Sequence, residues 1–156
     1  MSQDDDEAWL LKAIDLSGKC PPTEKAFSVG AIIVGANNEL ISSGFSRERS
    51  PSEHAEELAI IKAKELDKHL NGATIYSSLE PCNPRLSGKT SCTDLIIASG
   101  ITKVVFALHE PPTFVTCTGT QHLKAAGITV IVLNHLAELF KAKNKKFFQS
   151  SKAILQ

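Results

Sequence analysis

Hydrophobic positions along the chain follow two periods, one of a helix and one of a strand, and the two alternate. Over residues 5–18, Ala8, Leu11, Ile14 and Leu16 recur near helical spacing with Trp9 and Leu10 beside them, which predicts an amphipathic helix. Asp4, Asp5 and Asp6 stand at its start, where carboxylates complement the helix dipole. Gly18 and then Pro21-Pro22 stop it. Residues 28–34 are a nearly continuous apolar run, as a strand buried on both faces requires. Gly35, Ala36, Asn37 and Asn38 supply a turn, and residues 39–44 read as the returning strand of a hairpin. A second helix opens around Ser52–Glu56, buries Ala55, Leu58, Ala59, Ile61 and Ala63, and runs to about Leu70.

Beyond Asn71-Gly72 the pattern repeats as strand, helix, strand. Residues 73–79 form a third strand and a polar loop follows to Ser91. Cys92 to Ser99 is a short helix closed by Gly100. Residues 103–108 and 128–132 are the fourth and fifth strands, with a helix near 119–126 between them. A last amphipathic helix runs from about His135 towards Phe148. Right-handed crossovers would make strands three, four and five parallel. The expected architecture is a three-layer α/β/α sandwich on a five-stranded mixed sheet that begins with a hairpin. Such a frame names no function by itself.

Composition narrows the class. At 156 residues the chain fits one domain, taken as residues 1–156. Seventeen basic and seventeen acidic residues cancel, which argues against a broad cationic surface for nucleic acid. The Lys-rich stretch Lys141, Lys143, Lys145 and Lys146 reads most simply as a solvated helix face. No apolar run reaches the roughly 20 residues of a membrane span, and the acidic N-terminus lacks a secretory pattern. A cytoplasmic protein with four unpaired cysteines is expected.

The chemistry concentrates in three short stretches: His54-Ala55-Glu56 at one helix start, Pro81-Cys82 after a strand, and Cys92 at another helix start. One imidazole and two thiolates make a three-ligand shell for one Zn2+, with the fourth position left for water, as catalytic zinc sites have. Zinc lowers the pKa of that water towards neutrality. Glu56, two residues after the histidine, could shuttle protons without ligating. Cys20 and Cys117 have no spaced partner and read as free thiols; His69, His109, His122 and His135 fall in no motif.

Taken together in this order, the His-x-Glu, Pro-Cys and second Cys resemble the signature of the cytidine-deaminase-like superfamily, over most of the chain. The superfamily's common Pro-Cys-x-x-Cys is departed from: nine residues separate Cys82 from Cys92. A long insert there resembles the pyrimidine deaminases of riboflavin biosynthesis, and the stretches 79–89, 22–30 and 110–114 look most like their fungal form. The bacterial form begins its first strand with Asn-Pro-x-Val-Gly. Here Ala26-Phe27-Ser28-Val29-Gly30 stands instead, so that asparagine's substrate contact does not carry over.

The resemblance implies the substrate 2,5-diamino-6-ribitylamino-4(3H)-pyrimidinone 5′-phosphate or its ribosylamino counterpart. It implies attack by a zinc-activated water on the ring carbon bearing the 2-amino group, with Glu56 relaying protons and ammonia leaving. Arg85, Ser87 and Lys89, in the loop between the cysteines, offer a guanidinium, a hydroxyl and an ammonium for the phosphate or the ribityl chain. Glu110, at the end of the fourth strand, stands where open α/β sheets bind ligands and is assigned to the pyrimidine. A homodimer is expected from the superfamily's habit. Two other readings compete: a deaminase of another base (adenosine in transfer RNA, cytosine or guanine), and a non-catalytic protein stabilised by zinc. Retention of Glu56 favours the enzyme.

Overall fold

The computed structural model describes residues 3–114 and 116–148, so residues 1, 2, 115 and 149–156 of the expected domain lie outside the described residues. The strands are β1 (Gly30–Val34), β2 (Leu40–Phe45), β3 (Thr74–Ser77), β4 (Lys103–Phe106) and β5 (Thr129–Val132). The helices are α1 (Gln3–Leu16), α2 (Ala55–Glu65), α3 (Cys92–Ser99), α4 (Gly119–Ala125) and α5 (Ala137–Lys143). The sheet order is β2-β1-β3-β4-β5. β1 pairs antiparallel with β2 and β3, whereas β3, β4 and β5 run parallel. This is the expected mixed sheet with its N-terminal hairpin.

Strand alternation divides the core in two. Ala31, Ile33, Ile75, Val104 and Phe106 pack with Ala59 of α2, Ile96 of α3 and Leu123 of α4. Ile32, Val34, Tyr76 and Val105 face the other way, against Leu10, Ala13 and Ile14 of α1. Each Leu or Ile buried in these layers contributes about 1.5–3 kcal/mol relative to its exposed state. Tyr76 is wholly buried, and its hydroxyl finds a partner: it donates to Asp6 Oδ1 at 2.6 Å. Lys103 Nζ pairs with Asp6 Oδ2 at 2.7 Å, so one α1 carboxylate fixes that helix to two strands.

Two helices differ from the sequence reading. α2 ends at Glu65, not near Leu70, because Asp67 adopts the left-handed conformation (φ 55). Lys68 N then bonds Ala63 O and Asp67 N bonds Lys64 O, which closes the helix in a Schellman pattern without a glycine. The last helix is broken into a 3-10 turn at Asn134–Leu136, α5, and another 3-10 turn at Lys145–Phe147. Asn144 interrupts it, with φ −128 and ψ 39.

The placement of α2 against the sheet depends on one glycine. A Cβ on Gly44 of β2 would stand 2.7 Å from Ala55 O and 3.0 Å from Ala59 N, so only glycine lets α2 lie this close. The helix start bearing His54 is thereby set beside the carboxyl end of β3. There the sheet changes from antiparallel to parallel pairing, the switch point at which open α/β sheets bind ligands.

Candidate active site

His54 is the N-cap residue of α2, with extended backbone (φ −92, ψ 152). Glu57, three residues on, accepts from His54 N through Oε1 at 3.3 Å, the reciprocal half of a capping box. Cys92 is the first residue of α3, whose N-cap Ser91 accepts from Asp94 N at 3.1 Å. Cys82 lies in the loop after β3. Its carbonyl accepts from Thr93 N, and its sulfur accepts from Cys92 N at 3.3 Å. A Cβ on Gly119 would stand 2.2 Å from Pro81 O, so the start of α4 presses directly on the Pro81-Cys82 backbone.

These elements bring the three expected ligands together. His54 Nδ1 lies 3.6 Å from Cys82 Sγ and 3.4 Å from Cys92 Sγ, and the ligand atoms of all three residues fall within 4.8 Å of one another. A tetrahedral zinc with Zn–S near ~2.3 Å and Zn–N near ~2.1 Å needs sulfur and nitrogen about 3.6 Å apart. The donor set fits zinc in spacing and in softness. The thiols are also electrostatically prepared. Cys82 is drawn down to about 5, first by the hydrogen bond from the Cys92 side chain and then by His54. That same bond, with burial, drives Cys92 up; metal binding requires both sulfurs as thiolates. Cys20 and Cys117 are free thiols outside this group.

Glu56, in the first turn of α2, is 4% exposed. Ser77 Oγ donates to its Oε2 at 3.3 Å from the end of β3. Burial, and next the charge of Cys82, push its carboxyl up to about 7, against the pull of His54. The carboxyl can therefore carry or yield a proton near neutral pH.

A cavity of about 380 Å³ opens over this group. Among its lining residues are His54, Glu56, Cys82, Ser87 and Glu110, with Phe27, Val29, Leu79 and Phe114 as apolar wall. Phe27 meets Phe114 edge-on, with centroids 5.2 Å apart. Glu110 N donates to Glu80 Oε1 at 2.9 Å, and Glu80 Oε2 accepts from Thr120 N, which fixes the loop after β4. Burial, then Cys82, Glu56 and Glu80, push the Glu110 carboxyl up to about 8.

The structure redirects one expectation. Arg85 does not line the cavity: its side chain is 1% exposed and its guanidinium pairs with Glu57. Lys89 lies outside the lining too, exposed, with Nζ 3.0 Å from Ser52 Oγ on the cavity wall. The cations that do line the cavity, Lys25 and Arg47, were not singled out from sequence, nor were Glu57, Ser77 and Glu80. Of these, Glu57 carried a readable signal, as the carboxylate three residues after a helix N-cap.

Residues 3–108 match the family described as the cytidine and deoxycytidylate deaminase zinc-binding region. The chain belongs to this family of zinc-binding deaminase domains. It is 50% identical over 127 residues to a diaminohydroxyphosphoribosylamino-pyrimidine deaminase of Schizosaccharomyces pombe, an overlap of 80% of this chain and 31% of that one. It is 37% identical over 147 residues to the protein of the same name from Buchnera aphidicola, 92% of this chain and 94% of that one. The chain spans only about a third of the length of the Schizosaccharomyces relative and of the riboflavin biosynthesis protein RibD of Aquifex aeolicus, at 31% and 36%. Among solved structures, the Rib2 deaminase of Aspergillus oryzae in complex with DARIPP superimposes with a TM-score of 0.76 at 29% identity, covering 85% of each chain.

Proposed function

We propose that the domain catalyses hydrolytic deamination of 2,5-diamino-6-ribosylamino- or 6-ribitylamino-4(3H)-pyrimidinone 5′-phosphate, a step of riboflavin biosynthesis. The observation that carries this reading is the convergence of a buried, protonatable Glu56 with the His54, Cys82 and Cys92 donor set in one cavity, in a chain matched nearly end to end by a curated deaminase of that type. Zinc held by those three residues supplies a Lewis acid that makes water nucleophilic near neutral pH. Glu56 takes the proton that water loses as its oxygen bonds to the ring carbon. It returns a proton to the exocyclic nitrogen as the C–N bond breaks, so that water is consumed and ammonia released. Ser77 holds Oε2 in place, which leaves the other carboxyl oxygen for this relay.

Phe27 and Phe114 give the pyrimidine an apolar wall. Glu110, protonated at neutral pH, presents an O–H donor to a ring acceptor. Ser87 serves the ribityl hydroxyls, while Lys25, Arg47 and the neighbouring Lys89 meet the phosphate. The domain is further proposed to act in the cytoplasm, where its free thiols stay reduced. It is proposed to act as a homodimer, in keeping with the exposed Ile61 and Ile97 on the packed helices α2 and α3. Among the described residues no helix is long and apolar enough to cross a membrane.

The test is ammonia release by the purified zinc protein from the pyrimidine phosphate, cytidine and dCMP. Turnover of the first with little of the others is expected. Equal turnover of cytidine would overturn the substrate assignment. Sedimentation at micromolar concentration checks the dimer.

A further inference from the structure

Arg85 sits three residues after Cys82, and its guanidinium reaches from that segment to the two others that carry a ligand. Nη1 and Nη2 form a fork on Glu57, to Oε2 at 3.1 Å and Oε1 at 2.8 Å. Nη2 also donates to Ser52 O at 2.7 Å, two residues before His54, and Nη1 donates to Thr90 O at 3.3 Å, two residues before Cys92. The Glu57 oxygen that takes the shorter arm of the fork also accepts from His54 N. One cation and one carboxylate therefore tie together the start of α2, the beginning of the inter-cysteine loop and the run-in to α3. The guanidinium is almost wholly out of solvent, and its Nε is buried without a partner. Arg85 does not contribute to the lining of the cavity.

The need for such a brace follows from the chain. Nine residues separate the two cysteines, and residues 86–90 are all exposed, so the loop gains little from packing of its own. Closing a loop of that length costs entropy that some interaction must offset before the sulfurs can hold a common position. Arginine suits the task where lysine does not, because its planar fork reaches a carboxylate and two carbonyls in one fixed geometry.

We propose that Arg85, with Glu57, is a positioning pair for the metal centre: it preorganises His54, Cys82 and Cys92 and takes no direct part in binding the substrate. The inference deepens the proposed function but rests only on its zinc site.

The test is zinc release from the holoprotein to excess chromogenic chelator, compared for the wild type, Arg85→Lys, Arg85→Met, Glu57→Met and the double Arg85→Met/Glu57→Met. Release is expected to be about tenfold faster or more in each single variant, in line with the usual effect of losing a residue that orients a ligand. The double variant is expected to release no faster than the worse single one, since the two act as a unit. Where Arg85→Met does not fold, Arg85→Lys keeps the charge and the stem and supplies the measurement. Unchanged zinc release in the folded variants would overturn the proposal, as would a selective loss of kcat/KM on the phosphorylated pyrimidine relative to its dephosphorylated analogue. A wild-type protein that holds no zinc would instead overturn the functional reading itself.

Discussion

Asn144 brackets the backbone of one residue in the segment that walls the cavity: its Oδ1 accepts from Ser28 N at 2.6 Å and its Nδ2 donates to Ser28 O at 3.0 Å. The neighbouring Phe27 packs on Phe140 and Phe147 from either side of Asn144. Asn144→Ala leaves a part-buried N–H and C=O without partners, at a cost of about 2–3 kcal/mol. Denaturant titration should show the midpoint fall, and KM should rise as Phe27 loosens, with zinc content unchanged. A stability loss below about 0.5 kcal/mol would show that water replaces the amide.

The same residue marks where sequence reading reached its limit. Short apolar runs gave the central strands, which are buried on both faces, and helical spacing with a closing glycine gave the helix that starts at Cys92. The final helix continued to look helical through Lys141–Phe148, yet Asn144 trades helix geometry for two bonds to a strand lead-in 116 positions away. Nothing local announces that exchange. The early end of α2 was hidden for a different reason: Asp67 takes a left-handed position that is usually read from glycine. In the site, His54, Glu56, Cys82 and Cys92 were legible because their residue types limit their chemistry. Arg85 was not, since a loop cation reads the same whether it faces a phosphate or a buried carboxylate. Only the position of Glu57 decides between them.

Cys92→Ser should leave the protein without stoichiometric zinc. The variant keeps the size of the side chain but offers a hydroxyl in place of a soft thiolate, and Cys82 loses the neighbour that draws its pKa down. Because α3 begins at this residue, melting temperature should fall as well. Metal analysis after gel filtration reads the first effect. Zinc content equal to wild type would remove Cys92 from the ligand set.

Glu56→Gln should retain zinc and fold, and lose ~10²–10⁴-fold in kcat, because the amide neither takes nor returns a proton. Single-turnover ammonia release separates this from slow product release. A variant keeping more than about a tenth of wild-type kcat would take Glu56 out of the relay.

Glu110 makes stability depend on pH in a stated direction. Its carboxyl is held up at about 8 in the folded protein against an ordinary 4.5, so between these values the folded chain binds a proton that the unfolded chain has released. Stability from this group is therefore present at acid pH and falls as pH rises from 4.5 towards 8. Glu110→Gln removes that dependence while Glu56 still titrates in both proteins. Melting temperatures of the metal-free proteins at pH 5, 7 and 8.5 should converge at the acid end, with the variant more stable at the alkaline end. Parallel curves would mean that Glu110 is ionised throughout.

The phosphate assignment separates the cations that face the cavity from the one that does not. Lys25 and Arg47 line it, whereas Lys89 stands one hydroxyl beyond, at Ser52. Arg47 also holds the backbone of Pro21 and Phe27, so its removal would disturb the wall; Lys25 and Lys89 give the cleaner test. A 5′-phosphate carries nearly two negative charges, and losing one well-placed ammonium costs about 1.5–3 kcal/mol, roughly ten- to a hundredfold. Lys25→Ala and Lys89→Ala should therefore lower kcat/KM for the phosphorylated pyrimidine by that factor and leave the dephosphorylated analogue nearly unaffected. Rising salt should shrink the wild-type preference in the same direction, because the contacts are exposed and screened. A lysine variant that loses equally on both substrates supports the wall rather than reading the phosphate. Were both lysine variants to behave so, the phosphate would have to lie elsewhere along the cavity, with Arg47 as the remaining cation on its lining.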